Sequence, residues 1–121
     1  RSLKVENIVV MGHARCGGVR AYLDGLLDRP EEAEFIAPWV SLLRAPGGEV
    51  EASHGGKPIE ARQEALEHNS IRHSLGNLMS FPFIRQEVEA GRLRLRGAYF
   101  DIATGKLLSL DPESGTFTAV A

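Results

Sequence analysis

Cysteine is nearly absent from this sequence: Cys16 is the one example in 121 residues, beside a single tryptophan and 7% aromatics. A lone thiol excludes a disulfide within the chain and suits a reducing compartment, so a cytoplasmic setting is expected. Long hydrophobic runs are missing too. The longest clean one is Ile8-Val9-Val10-Met11, far below the roughly 20 residues a membrane-spanning helix needs. No basic stretch followed by an apolar core opens the chain, so no signal peptide is read there and no membrane partner is expected. Sixteen Asp and Glu against fourteen Lys and Arg give a net charge of −2, which argues against nucleic acid as a partner.

What is present suits one small soluble domain, with 43% hydrophobic and 25% charged residues. The chain opens at Arg1 and enters a strand-like segment at once, so a preceding segment is expected. Residues 3–11 read as a strand with a buried centre. A Gly-rich turn, residues 12–18, and a short helix over 19–27 follow, the opening of a strand–crossover–strand unit. Pro30, Glu31 and Glu32 start a helix whose Phe35, Ile36, Trp39, Val40 and Leu43 form an apolar stripe. Residues 44–57 hold Pro46 and four glycines and read as a surface loop. A long helix is predicted from Pro58 to about Ser80, then a shorter one over 83–90 ended by Gly91. Residues 92–96 alternate Arg and Leu as a strand with one wet face. Residues 99–102 and 107–110 form a hairpin around the turn 103–106, and a further turn at 111–115 leads to a tail. The fold class is α/β: a parallel sheet core with flanking helices and a C-terminal hairpin.

His13 and Cys16 carry the strongest chemical signal. They lie three apart in a Gly-flanked turn directly after a buried strand, where α/β proteins place ligand sites. An imidazole and a thiolate at this spacing can reach one metal ion, and a soft ligand beside a borderline one favours zinc. Gly12, Gly17 and Gly18 would let backbone approach the ion or its ligand, with Gly17 the position expected to face substrate. Two other readings stand beside this one. Cys16 is a buried structural thiol next to an unrelated histidine, or it is a low-pKa nucleophile at a helix start. No local third group orients the pair for the nucleophilic role.

The segment Val9-Val10-Met11-Gly12-His13-Ala14-Arg15-Cys16-Gly17-Gly18 resembles the second zinc motif of the β-class carbonic anhydrases. Asn69-Ser70-Ile71-Arg72-His73-Ser74-Leu75-Gly76-Asn77-Leu78 resembles that family's long helix. Gly97-Ala98-Tyr99-Phe100-Asp101-Ile102-Ala103-Thr104-Gly105 resembles its last hairpin. Three blocks in the same order, spanning roughly residues 3–111, are far more specific than His-x-x-Cys. The resemblance implies the C-terminal portion of a single β-carbonic anhydrase domain, and with it a lyase: zinc-dependent, reversible hydration of carbon dioxide to bicarbonate. His13 and Cys16 would be two of three protein zinc ligands. The third belongs to an upstream Cys-x-Asp-Ser-Arg motif, whose Asp and Arg form a dyad near the metal.

That motif is absent from these residues, and the second cysteine with it. Its strand neighbours residues 3–11 in the family's parallel sheet, so those residues would present an apolar edge. The expected partners are therefore carbon dioxide or bicarbonate, an upstream segment or companion chain that completes the site, and further copies in a homo-oligomer. Two alternatives are a non-catalytic zinc-binding or subunit-interaction module on this fold, and a carbonyl sulfide or carbon disulfide hydrolase relative. Some family members hold a non-catalytic bicarbonate through a tyrosine in the last hairpin. Phe100 stands there, with Tyr99 shifted by one, so regulation of that kind is not expected. His54 is read as an exposed loop residue or a proton carrier, and His68 and His73, five apart, as surface or packing residues. Trp39 is read as a core or interface aromatic, Phe81-Pro82-Phe83 as a contact segment, and Arg92, Arg94 and Arg96 as a solvated row.

Overall fold

The computed structural model describes residues 6–25 and 41–120. The expected helix bearing Trp39, and the first residues of the opening strand, lie outside them. Contacts divide the chain into two compact units: one of residues 1–12 and 71–121, the other His13–Ser70.

The first unit is built on a four-stranded mixed sheet in the order β1-β2-β3-β4. Its strands are β1 (Asn7–His13), β2 (Arg94–Asp101), β3 (Lys106–Leu110) and β4 (Phe117–Ala119). The Arg94 N–H donates to the Glu6 carbonyl at 2.9 Å, and Arg96 Nε reaches Asn7 Oδ1 at 2.9 Å, tying β1 to β2. β1 does not have the uniformly buried centre its composition suggested. Burial alternates along it, leaving Val9 51% and Met11 62% exposed. A strand covered on one face buries every second side chain whatever its hydrophobicity.

β2 continues through both of the segments read separately from sequence, and pairs antiparallel with β3 from Ala98↔Ser109 to Asp101↔Lys106. The turn between them is held by the Asp101 carboxylate, which accepts the Ala103 N–H at 2.9 Å, and by Gly105 at φ +72. Within β2, Gly97 is buried under the last turns of a long helix. A Cβ there would lie 3.0 Å from Ile71 Cγ2 and 3.1 Å from Leu110 Cβ, so only glycine lets helix and sheet come this close.

The expected tail is instead a strand. β4 pairs antiparallel with β3, Leu110↔Phe117 to Leu108↔Ala119. Its anchor is Phe117, whose ring lies 6.2 Å from Tyr99 in an edge arrangement and 5.3 Å beneath the Arg72 guanidinium. Arg72 Nε also donates to the Gly115 carbonyl at 2.8 Å, closing the turn before β4. Ile71, Ile84, Leu93 and Tyr99 are the buried apolar residues of this unit.

The second unit holds α1 (Gly17–Leu23), a 3-10 turn (Ser41–Leu43), α2 (Arg44–His54) and the first part of α3 (Ile59–Met79). α2 occupies the stretch expected to be a loop. Pro46 sits in its first turn, where the missing N–H would have had no intrahelical partner. Gly47 lies so close to the Tyr22 ring that a Cβ would come within 2.5 Å of Cε2. The residues that looked like loop punctuation thus serve a helix start and a close helix–ring contact. Asn69 on α3 fastens this start, its Nδ2 donating to the Pro46 carbonyl at 3.1 Å and to Glu49 Oε1 at 2.9 Å. Val19, Val50 and the fully buried Leu66 form the core, with Cys16, Tyr22 and Leu43 packed against it.

The short helix expected over 83–90 is α4 (Pro82–Glu89), in the first unit. Gly91 at φ +78 ends it, and Arg92 folds back to grip Glu87 with Nε–Oε1 at 3.0 Å and Nη2–Oε2 at 2.7 Å. That pair is solvated and holds the Glu87 carboxyl below the usual carboxylate range. Among the described residues no helix is long and apolar enough to cross a membrane.

Candidate metal centre

The turn from His13 to Cys16 lies within the second unit. β1 delivers His13 at its last residue, two residues further than the sequence pattern suggested. His13 Nδ1 is 3.0 Å from the Ala14 carbonyl oxygen. A carbonyl can only accept, so Nδ1 is the donor of this contact, and in the tautomer that matches it a lone pair lies on Nε2. This is the arrangement by which metal-binding imidazoles fix their tautomer.

Arg15 then takes φ +58, the left-handed region that costs a non-glycine residue about 1–2 kcal/mol. Cys16 returns to extended geometry, φ −65 and ψ 124, and occupies the N-cap position of α1. N-cap side chains usually accept a backbone N–H from the first turn; here no such side-chain bond forms, and the thiol is left for other work. It is a free, half-buried cysteine.

The backbone of Cys16 is tied on both sides. Its N–H donates to Glu67 Oε2 at 2.8 Å. Its carbonyl accepts the Arg20 N–H at 3.0 Å and Gln63 Nε2 at 3.2 Å. Gln63 Nε2 also reaches Glu67 Oε2 at 3.0 Å. Glu67 is 3% exposed, a buried carboxylate stabilised by N–H donors. Gly18 is in ordinary contact distance, its Cβ position 3.9 Å from Cys16 Sγ, while Gly17 has open space where a side chain would be.

The donor set fits two corners of a zinc site: an imidazole with Nε2 presented and an uncommitted thiol on one turn. Among the described residues no group of three or more His, Cys, Asp or Glu converges to hold a metal. The other sequence candidates are elsewhere. His54 ends α2, not a loop, with Nδ1 2.7 Å from Ser53 Oγ. Tyr99 is buried in the sheet unit, and Phe81 and Phe83 are exposed with rings 6.2 Å apart. Arg94 and Arg96 lie exposed along β2. Gln63 and Glu67 were missed. Their i, i+4 spacing on a helix reads as an ordinary solvated pair, and only the buried Leu66 beside them hinted otherwise.

The carbonic anhydrase family model matches residues 1–107. The chain belongs to the β-carbonic anhydrase family. It is 33% identical over 105 residues to beta carbonic anhydrase 3 of Arabidopsis thaliana, a match covering 85% of this chain and 40% of that protein. The solved β-carbonic anhydrase CcaA superposes with a TM-score of 0.88 at 25% identity, covering 97% of this chain and 56% of that one. A structure from the tetrameric β-carbonic anhydrases of Sordaria macrospora gives 0.64 at 26% identity, covering 96% and 55%. The chain therefore spans between two fifths and three fifths of these β-carbonic anhydrases, and its His13–Cys16 turn lies inside the matched region.

Proposed function

We propose that the protein containing this chain is a carbonic anhydrase that hydrates carbon dioxide reversibly to bicarbonate at a zinc site, with His13 and Cys16 as two of its ligands. The observation that carries the reading is the strand-to-helix turn that presents an Nε2 lone pair and an uncapped thiol together, in a chain of this family. When bound, zinc supplies a Lewis acid that brings the proton loss of water towards neutral pH.

The chain's own residues do the rest. With Nδ1 engaged on the Ala14 carbonyl, His13 would offer Nε2 as a ligand. Cys16, relieved of capping, offers its sulfur. Gly17, with open space beside it, is the position assigned to face the small linear substrate. The reaction joins one water oxygen to carbon, breaks one water O–H bond, and yields bicarbonate and a proton. The third ligand and an Asp/Arg dyad belong to an upstream segment or companion chain of the same protein, for which the present residues form the C-terminal portion of one domain. Homo-oligomeric assembly is part of the same proposal, supported by the tetrameric Sordaria relatives. A reducing cytoplasm suits the free Cys16 thiol.

Native mass spectrometry of the intact protein, paired with stopped-flow hydration of carbon dioxide, tests this. Stoichiometric zinc with hydration that is lost in His13→Ala is the expected result. Zinc without hydration would mark a non-catalytic zinc-binding module. Turnover of carbonyl sulfide or carbon disulfide in place of carbon dioxide would mark a hydrolase relative. A protein that carries no zinc overturns the proposal.

A further inference from the structure

Cys16 is the least self-sufficient part of the site. It follows a residue in the left-handed region, Arg15 at φ +58, and opens a helix of only seven residues. Beyond the Arg20 N–H that its carbonyl accepts, neither element holds it in place. Local sequence would let the turn relax, because returning Arg15 to an ordinary φ removes strain and moves the next residue.

What opposes this comes from α3, 47 and 51 residues away in sequence. Glu67 Oε2 takes the Cys16 N–H at 2.8 Å, and Gln63 Nε2 bridges the Cys16 carbonyl and the same Glu67 oxygen. Glu67 is almost completely buried, and a buried carboxylate persists only where donors satisfy it. The N–H of Cys16 is one of those donors. Turn and acid are therefore mutually dependent: each loses a partner if the other moves. Leu66, the neighbour of Glu67, is fully buried in the core, so the acid stands on a rigid base.

We propose that Glu67, backed by Gln63, is the positioning residue of the metal centre: it fixes the backbone of Cys16 so that the thiol is held ready for the ion. The inference rests on the zinc reading above. It assigns Glu67 no contact with metal or substrate. Supporting partners of metal ligands are commonly worth 10–100-fold in metal affinity, and an effect of this size is expected here through the backbone.

The test uses the intact protein with Glu67→Met, which keeps the side-chain length and removes the acceptor, and Glu67→Gln, which keeps an oxygen for both donors. Zinc affinity is measured by competition with a chromophoric chelator, and hydrogen exchange by mass spectrometry on a peptide containing Cys16. Cobalt-loaded protein gives the thiolate-to-metal absorption band as a direct reading of the Cys16 bond. Glu67→Met should weaken zinc by about tenfold or more, hasten exchange at Cys16 and weaken the cobalt–thiolate band. Glu67→Gln should restore most of all three.

If Glu67→Met does not fold, Gln63→Leu reads the same clamp from its half-exposed member, with a smaller loss in the same direction. Zinc uptake and Cys16 exchange unchanged in the variant, while wild type binds zinc, overturn this inference alone. Absence of zinc from the wild type overturns the metal reading and this inference with it.

Discussion

Gly97→Ala isolates one close approach in the sheet unit. The added methyl would arrive 3.0 Å from Ile71 Cγ2 and 3.1 Å from both Cβ and Cδ2 of Leu110. Carbon atoms rest comfortably at about 3.5–4.0 Å, so α3 and β3 must give way together by roughly half an ångström. Overpacking of this kind costs about 1–3 kcal/mol. Against it stands the reduced freedom of the unfolded chain, which favours alanine by about 0.4–1 kcal/mol. A net destabilisation of about 1–2 kcal/mol is expected, and in a chain of this size that lowers Tm by several degrees. Urea titration should show a lower midpoint with an unchanged slope, since the same surface is exposed on unfolding. Leu110→Ala removes one of the three clashing carbons, Cδ2, so the double variant should be less destabilised than the sum of the single ones. A Gly97→Ala protein as stable as wild type, or strictly additive with Leu110→Ala, would refute the packing argument.

Leu66→Ala removes a side chain with no exposed surface from the second unit. It should cost about 2–5 kcal/mol in calorimetry or urea unfolding, with faster exchange at the Cys16 backbone, because its neighbour Glu67 loses its support. Acid should weaken the sheet unit through two carboxyls held below their usual range. Glu87 is lowered by its hydrogen bond from Arg92, and Asp111 by the Glu113 N–H and then the Ser114 hydroxyl. A depressed carboxyl stabilises the fold above its unfolded pKa, near 4, and that contribution is lost as pH falls from there through the lower folded value. Unfolding midpoints recorded from pH 6 downward should therefore drop below about pH 4, and Glu87→Gln combined with Asp111→Asn should flatten that limb. An acid limb unchanged in the double variant would show that other groups set it.

The parts of this fold that sequence disclosed are those governed by short-range periodicity and turn chemistry. α3 carried Leu66, Ile71, Leu75 and Leu78 on one side, Gly91 marked the end of α4, and Gly105 marked the hairpin. The candidate metal turn was legible because His13, Cys16 and their glycines are adjacent in the chain. α2 was hidden because Pro46 and Gly47 act through position and contact: Pro46 lies in a first turn and Gly47 against a ring 25 residues earlier. β4 was hidden because its anchor is Phe117 wedged between Tyr99 and Arg72, a meeting that no local pattern announces. Val9 and Met11 misled in the other direction, since hydrophobicity alone does not say whether one face of a strand or two will be covered. Gln63 and Glu67 could not be singled out because their partner is a backbone amide and carbonyl, groups that every residue possesses.

The uncapped start of α1 sets fold and chemistry against each other at one atom. Exchanging the Cys16 sulfur for oxygen, Cys16→Ser, supplies a hydroxyl well suited to accept a first-turn N–H, and good caps are worth about 0.5–2 kcal/mol. The serine protein, free of metal, should unfold at a higher temperature than the metal-free wild type while losing a ligand. On the zinc reading, cysteine at this position gives up some helix stability in exchange for a thiol that an ion could use.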